Sequence, residues 1–276
     1  MGGGLKIVEN GFPMLVENPP PIEKHRFYRK AKATGKCLVV VETPQHSLDD
    51  ISDLEVDDIV LVISEIKRAM TKYMDKDWAK YFLWFRNKGE EIGVSLSHPH
   101  SQIYILPFTP VKIKREMLNA EKYYLENREC LFCRILEVEE ADRDRVVFRT
   151  GSWTAFIPFY AHWPFEVHVY PRRHLQLLTE LTDTEVYGLA LSIKSVLQGL
   201  KKLFKKPVPY MLILHQAPLK GSYPFYHLHI EIYGVYRPIG KLKYAAGMES
   251  GGGNFTYDST PEANAELLRK AIEALS

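Results

Sequence analysis

Long hydrophobic runs are missing from this sequence, and their absence makes the first exclusion. No stretch is long enough and apolar enough to span a membrane. The opening residues, MGGGLKIVENGFP, hold no apolar core of the kind that directs export, so a cytoplasmic chain is expected. Excess charge of either sign is also lacking: 36 basic against 34 acidic side chains leave a formal net charge of +2. That balance argues against a general grip on nucleic acid or another polyanion. Cysteine is scarce. Of only three, two form the tight pair Cys130-Leu131-Phe132-Cys133, which in an intracellular chain is a better candidate for metal than for a disulfide. Core material is plentiful by contrast. With 276 residues, 46% of them hydrophobic and 12% aromatic, the chain can build one large domain or two smaller ones.

The most informative segment is His98-Pro99-His100-Ser101-Gln102. It leads into SQIYILPF (101–108), which has the composition of a strand. Alternation along a strand sends His98, His100 and Gln102 to one face. Three polar groups on one strand face, beside Ile103, Ile105 and Leu106, mark a site rather than an ordinary surface. A lone histidine is more often buried and held by hydrogen bonds; HxHxQ after a loop rich in Gly and Ser is not read that way. The loop, Asn87 to Ser95 (NKGEEIGVS), looks built to bring backbone N–H groups, the Asn87 amide and the Ser95 hydroxyl to an anion, although alone it is a weak signal.

The same spacing returns in His227-Leu228-His229-Ile230-Glu231, and the similarity extends beyond it. CLVVVETPQH with the helix pattern of Ile59, Val62, Ile63 and Ile66 parallels FEVHVYPRRH with that of Leu189, Leu191, Ile193 and Leu197. His46 precedes His98 by 52 positions and His174 precedes His227 by 53. His100 aligns with His229, and Gln102 with Glu231. The spacing predicts a duplicated α+β unit, an antiparallel sheet with a helix packed across it. The halves are expected at 1–127, including a connector helix over 111–127, and at 128–276, ending in a helix from Pro261 to Leu275 capped by Thr260. Gly251-Gly252-Gly253 is expected to be a flexible loop.

An imidazole with a free pKa near ~6.5 can attack phosphorus at neutral pH without losing a proton first. The resulting phosphoramidate can pass its group on, which splits one displacement into two. His100 is assigned this attack, with Pro99 stiffening the backbone and His98 orienting the ring. Gln102 bears on the reaction class. An amide can donate to a phosphoryl oxygen but does not readily protonate a leaving group. A departing phosphate ester needs no proton, whereas an alkoxide does. Exchange between phosphates is therefore favoured over hydrolysis.

For the metal, Cys130 and Cys133 are joined by His174 and His227 through the repeat, a closed four-ligand set that favours one structural zinc per chain. The pair alone is equally compatible with two free thiols beside a hydrophobic core; the aligned histidines tip the reading toward metal. His215 and His162 are alternative ligands. The second copy ends in Glu231, whose charge would repel a phosphate, so it is read as non-catalytic, serving structure and subunit contact. Glu166 and His168 are read as strand residues facing solvent. Trp84, Trp153 and Trp163, each in an apolar run, are read as core.

The stretch FRNKGEEIGVSLSHPHSQI resembles the nucleophile motif of the galactose-1-phosphate uridylyltransferase family, within the histidine-triad superfamily. VVVETPQH, AHWPFEVHVYPRRH, LILHQAP, HLHIEI and KLKYAAGME extend the resemblance over nearly the whole chain. The resemblance implies a cytoplasmic transferase of galactose metabolism. It would exchange UMP between UDP-glucose and galactose 1-phosphate in ping-pong fashion, through a uridylyl-histidine on His100. It implies that Asn87, Gly93, Ser95 and Gln102 handle phosphates and that Asn10 lies near the uridine. It also implies that Lys243, Tyr244, Gly247 and Glu249 reach a hexose phosphate on the partner subunit, hence a homodimer with shared sites. Family members usually carry several dozen further residues ahead of the position matching Asn10, with a CxxC pair and phosphate-binding arginines. His46 and His98 match the other two ligands of that first metal site, which without the cysteines is not expected to hold zinc. Two other functions stay open: a phosphorylase of nucleotide sugars or dinucleoside polyphosphates, and a non-catalytic nucleotide-binding zinc protein.

Overall fold

The computed structural model describes residues 4–94, 96 and 98–275. Nine strands form one antiparallel sheet in the order β1-β2-β4-β3-β8-β9-β7-β6-β5. The strands are β1 (Lys6–Glu9), β2 (Lys36–Val41), β3 (Tyr81–Lys88), β4 (His100–Leu106), β5 (Val146–Arg149), β6 (Trp153–Phe156), β7 (Phe165–Pro171), β8 (Tyr210–His215) and β9 (His229–Gly234). The repeat is visible in this order: β2, β3 and β4 of the first half answer to β7, β8 and β9 of the second. The two unit sheets meet edge to edge, with Phe85 opposite Ile213 and Lys88 opposite Tyr210. The α+β class and the antiparallel sheet with helices across it agree with the sequence.

Helices α1 (Val56–Met74) and α4 (Asp183–Phe204) cover one face of the sheet, joined by the C-terminal α5 (Pro261–Glu273). Each exists because its apolar side chains recur on one side. Ile59, Val62, Ile63 and Ile66 are all buried on α1; on α4 the buried stripe runs Val186, Leu189, Ala190, Ile193, Val196, Leu197, Leu200. Leu191 falls off that stripe and is only half-buried. Thr182 begins α4 with a capping box, accepting from Glu185 N at 3.3 Å while Glu185 Oε2 accepts from Thr182 N at 2.8 Å. Thr260 caps α5, accepting from Ala263 N at 3.2 Å, with Pro261 in the first turn. The halves are also tied across this face: Lys67 Nζ donates to Leu181 O at 2.6 Å, and Gln198 Nε2 to Ser52 O at 3.0 Å.

On the opposite face α2 (Val111–Asn127) and α3 (Leu131–Asp142) lie over the second half, their core reaching Tyr81 and Leu106 at the edge of the first. Here the halves part company. The first-half face presents Val39, Val41, Phe85, His100, Gln102 and Tyr104, all partly exposed. The equivalent second-half residues His229, Glu231 and Tyr233 are buried. The expected loop Gly251-Gly252-Gly253 is instead partly a π-helical turn, Gly247–Gly252, closed by Gly253 in the left-handed region. Among the described residues, no helix is long and apolar enough to cross a membrane.

Candidate active site and metal centre

Strand β4 carries the candidate site. Ser101, Ile103 and Ile105 are buried toward α1, so His100, Gln102 and Tyr104 look out on the uncovered face. Val41 lies opposite His100 on β2, and Val39 opposite Gln102. On the other side Phe85 pairs with Gln102, and its ring meets Tyr104 edge-on at 5.0 Å. A main-chain hydrogen bond fixes each imidazole. His100 Nδ1 lies 2.8 Å from His98 O, and His98 Nε2 lies 2.8 Å from Thr43 O. A carbonyl only accepts, so Nδ1 of His100 donates and, in the neutral ring, Nε2 holds the lone pair. The ring is thus presented as the tautomer that a nucleophile needs.

The backbone beneath His100 rests on a buried polar cluster that strand patterning did not reveal. Arg86 donates through Nη1 to His100 O at 2.8 Å, through Nε to Tyr210 Oη at 2.8 Å, and through Nη2 to Asp50 Oδ1 at 3.0 Å. It also pairs with Glu42, and Tyr210 Oη donates to Asp50 at 2.6 Å. Burial works against each of these charges. For Arg86 it is outweighed by Glu42, Tyr210 and Asp50, which hold the guanidinium above its usual value. For Asp50 it is outweighed by Arg86, Tyr210 and Ser52, which lower the carboxyl. For Glu42 burial wins and raises the carboxyl. A signal was available: in YFLWFRNK, Arg86 occupies the same alternate positions as the buried Phe82 and Trp84.

The loop after β3 departs from expectation. Gly89 to Val94 folds into a 3-10 turn in which Ile92 N and Val94 N donate to Gly89 O and Gly93 N to Glu90 O. Those three amides are taken and do not form the expected anion cradle. Gly93 is left-handed (φ +86°) and Gly89 has φ +110°, where a Cβ would also meet Pro209 at 2.7 Å, so the turn needs both glycines. Asn87 is the last residue but one of β3, next to this turn; Ser95 lies outside the described residues. Asn10 follows β1, its N–H bonded to Cys37 O at 3.0 Å, which puts it toward the Tyr104 end of the face. Lys243 and Glu249 are in the other half and bind each other at 3.2 Å, with Lys243 also donating to Thr256 O at 2.5 Å. Both are buried, whereas Tyr244 and Gly247 are exposed.

Cys130 and Cys133 flank the first turn of α3 and meet His174 and His227, with donor atoms all within 4.8 Å of one another. Cys133 Sγ lies 3.1 Å from His174 Nδ1 and 3.3 Å from His227 Nδ1. A tetrahedral zinc with bonds of about 2.0–2.3 Å asks for donor separations of roughly 3.5 Å, so the set fits a metal ion. The Cys130 thiol is lowered to about 2, chiefly by the Cys133 thiol and then by His174 and His227. Cys133 is raised in turn by the Cys130 thiolate and by burial, as expected of two sulfurs sharing one proton. His215 and His162 do not join this group: His215 Nδ1 pairs with Glu116 at 3.0 Å, and His162 stacks on Phe255 at 4.4 Å. His46 and His98 do approach, their rings 4.7 Å apart, but among the described residues no third ligating side chain joins them.

The second-half face is a closed counterpart of the first. Glu231 accepts from Lys112 at 2.6 Å and lies 3.3 Å from both His168 and His215 and 3.5 Å from His229. Burial opposes its charge, but His215, His168, His229 and Lys112 hold it well below the usual carboxylate range. His215 is correspondingly raised by Glu231 and Glu116 against burial. Glu166 and His168 do not face solvent as expected. Both are buried and 2.9 Å apart, because α2 covers this part of the sheet. Trp163 is only partly buried; with Tyr160, Tyr233 and Phe255 it lines a cavity of about 860 Å³ beside Glu231. Glu116, His215 and His229, or His168, His229 and Glu231, are also close enough to hold an ion.

Two family models match the chain end to end: the galactose-1-phosphate uridyl transferase N-terminal domain over residues 4–110 and its C-terminal domain over 116–276. The chain belongs to this family. A galactose-1-phosphate uridylyltransferase from Thermotoga maritima is 37% identical, the match covering 96% of this chain and 84% of the relative. A solved structure described as a uridylyltransferase superposes with a TM-score of 0.96 at 49% identity, covering 100% of this chain and 88% of that one. An ADP-glucose phosphorylase from Arabidopsis thaliana, solved with bound ADP-glucose, gives 0.84 at 27% identity over 97% and 81% of the two chains. The family and fold drawn from FRNKGEEIGVSLSHPHSQI and the internal repeat therefore hold.

Proposed function

We propose that this protein is a UDP-glucose–hexose-1-phosphate uridylyltransferase that exchanges UMP between UDP-glucose and galactose 1-phosphate. In the first half-reaction His100 Nε2 attacks the α-phosphorus of UDP-glucose. A P–N bond forms, the P–O bond to the sugar phosphate breaks, and glucose 1-phosphate leaves with the electron pair. In the second an oxygen of galactose 1-phosphate attacks the same phosphorus, the P–N bond breaks, and UDP-galactose departs. The observation that carries this reading is the His100 Nδ1 bond to His98 O, which leaves Nε2 aimed out on an uncovered sheet face. Gln102, two residues along the same face, donates to a phosphoryl oxygen and offers the leaving group no proton. His98 orients the segment through Thr43 O. Asn87, Gly93 and Ser95 border the phosphates, and Asn10 the uridine.

Lys243, Tyr244, Gly247 and Glu249 serve the active site of a second copy in a homodimer. The exposure of Tyr244 and Gly247 supports this, with the Lys243–Glu249 pair stiffening the segment. Cys130, Cys133, His174 and His227 would hold one zinc, closed to substrate, pinning α3 to the second-half sheet. The two halves, 1–127 and 128–276, divide the work: the first carries the nucleophile and the second the metal. The protein is assigned to the cytoplasm, with no role for nucleic acid or membrane.

Incubation with UDP-glucose, then with ADP-glucose, followed by intact mass tests the covalent step and the base together. A uridylyl adduct that disappears in His100→Ala is expected. Bound UDP-glucose with neither adduct nor exchange would refute the reading. The likeness to an ADP-glucose phosphorylase keeps one alternative specific. Release of glucose 1-phosphate driven by orthophosphate better than by galactose 1-phosphate would favour it.

A further inference from the structure

The two strands that flank β4 do not support His100 equally. β2 pairs along the whole of β4, from Lys36 opposite Ile105 to Val41 opposite His100. β3 pairs only from Tyr81 opposite Leu106 to Phe85 opposite Gln102, then turns away and continues with β8. Main-chain groups of an antiparallel strand point alternately to its two neighbours. Glu42 N donates to Pro99 O at 3.2 Å, so Pro99 and Ser101 address β2 while His100 and Gln102 address β3. The His100 carbonyl therefore faces the gap that opens where β3 departs. Arg86, on the departing strand, reaches back and donates to that carbonyl at 2.8 Å. Its guanidinium is 2% exposed and donates also to Glu42, Asp50 and Tyr210.

We propose that Arg86 is a positioning residue for the transfer: its guanidinium replaces the missing β3–β4 ladder bond and fixes the peptide from which the His100 ring projects. The gap itself is useful, since it leaves room beside His100 for the phosphates. Without Arg86 the gap would leave the nucleophile on a strand end held from one side only. The planar fork, held at three other points, makes the substitute as rigid as a ladder bond. Lysine can supply the charge but not this fan of directed donors, so Arg86→Lys separates charge from position. A displacement of the ring of about 1 Å is enough to lower turnover on the order of 100-fold. This inference rests on His100 being the nucleophile. If the parent protein forms no nucleotide adduct, it is that assignment, not the role of Arg86, that fails.

The test is single-turnover adduct formation at saturating UDP-glucose, with the final adduct stoichiometry counting competent sites. Arg86→Lys is expected to reach near-parental stoichiometry at a rate lowered on the order of 30- to 100-fold, with KM for UDP-glucose within threefold. Glu185→Gln weakens the cap of α4 in the other half and touches neither Arg86 nor its partners. It is expected to lower the melting temperature while keeping the single-turnover rate within twofold. Two results would overturn the proposal: Arg86→Lys reacting within threefold of the parental rate, or Glu185→Gln slowing the step as much as Arg86→Lys. If Arg86→Lys does not fold, Asp50→Asn carries the test, because it loosens the guanidinium without removing it. A rate lowered at least threefold at parental KM supports positioning, and an unchanged rate refutes it.

Discussion

Replacing Glu231 by glutamine removes one negative charge from a cluster in which it is the common partner of four cationic or titratable groups. Lys112 lies at 2.6 Å, His168 and His215 at 3.3 Å, and His229 at 3.5 Å. Lys112 is about half exposed, so its share is screened and small, at most about 1 kcal/mol. His168 and His215 are fully buried, and breaking a buried pair by removing one partner costs about 3–5 kcal/mol. Glutamine keeps the shape and still accepts one hydrogen bond, so a loss near the lower end, about 3 kcal/mol, is expected. The pH dependence follows from two opposite shifts. The lowered carboxyl of Glu231 contributes stability above its unfolded value near ~4.3, lost as pH falls through the folded one. The raised imidazole of His215 contributes fully below ~6.5 and fades as pH rises through its folded value. The parent–variant difference should therefore be largest between about pH 4.5 and 6.5 and shrink toward pH 9. Denaturant unfolding of metal-loaded protein at pH 5.5 and pH 9 reads this through the buried Trp84 and Trp153. A loss below about 1 kcal/mol at pH 5.5, or a difference that grows toward pH 9, would refute the reasoning.

Metal analysis of protein purified without added zinc should give one zinc per chain, and Cys130→Ser/Cys133→Ser should abolish it and lower the melting temperature; equal metal content in both would remove the site. Gln102→His should retain the uridylyl adduct but divert more of it to water, read as the ratio of UMP to UDP-galactose, and unchanged partitioning would count against the amide's role. Gly93→Ala meets no neighbour but must adopt φ +86°, so it should cost about 1 kcal/mol by denaturant titration, and a neutral result would mean that the turn relaxes. Arg173 and the cap at Thr182 lower Glu185 to about 2, so its contribution is complete above ~4.3 and is lost as pH falls toward 2. Glu185→Gln should be less stable than the parent by about 1 kcal/mol at pH 7 and indistinguishable from it near pH 2, by thermal unfolding.

Period-two and period-3.6 patterns made much of this molecule legible. They located β4, β9, α1, α4 and the duplication. The exposed face of β4 followed from alternation alone, because His98, His100 and Gln102 stand where apolar residues would face a core. The same logic misjudged Glu166 and His168. Alternation assigned them a face but could not tell that α2, which ends well before them in the sequence at Asn127, lies across it. The loop after β3 held a related ambiguity, since the amides of Ile92, Gly93 and Val94 are bonded within the turn. Its glycines and serines are those of an anion cradle, but whether an amide is free depends on the turn's own hydrogen bonds. Arg86, Glu42, Asp50 and Tyr210 come from four separate segments, and no local pattern ties them together. The metal set was found because duplication brought distant histidines into register, information that the Cys pair alone does not contain.

The junction between β3 and β8 bears on whether the chain can be divided. Its two halves share main-chain bonds across their common border, and α1 and α4 shield each other above it. Made separately, each fragment would show a raw strand margin and a stripped helix flank, the kind of surface that seeks another chain.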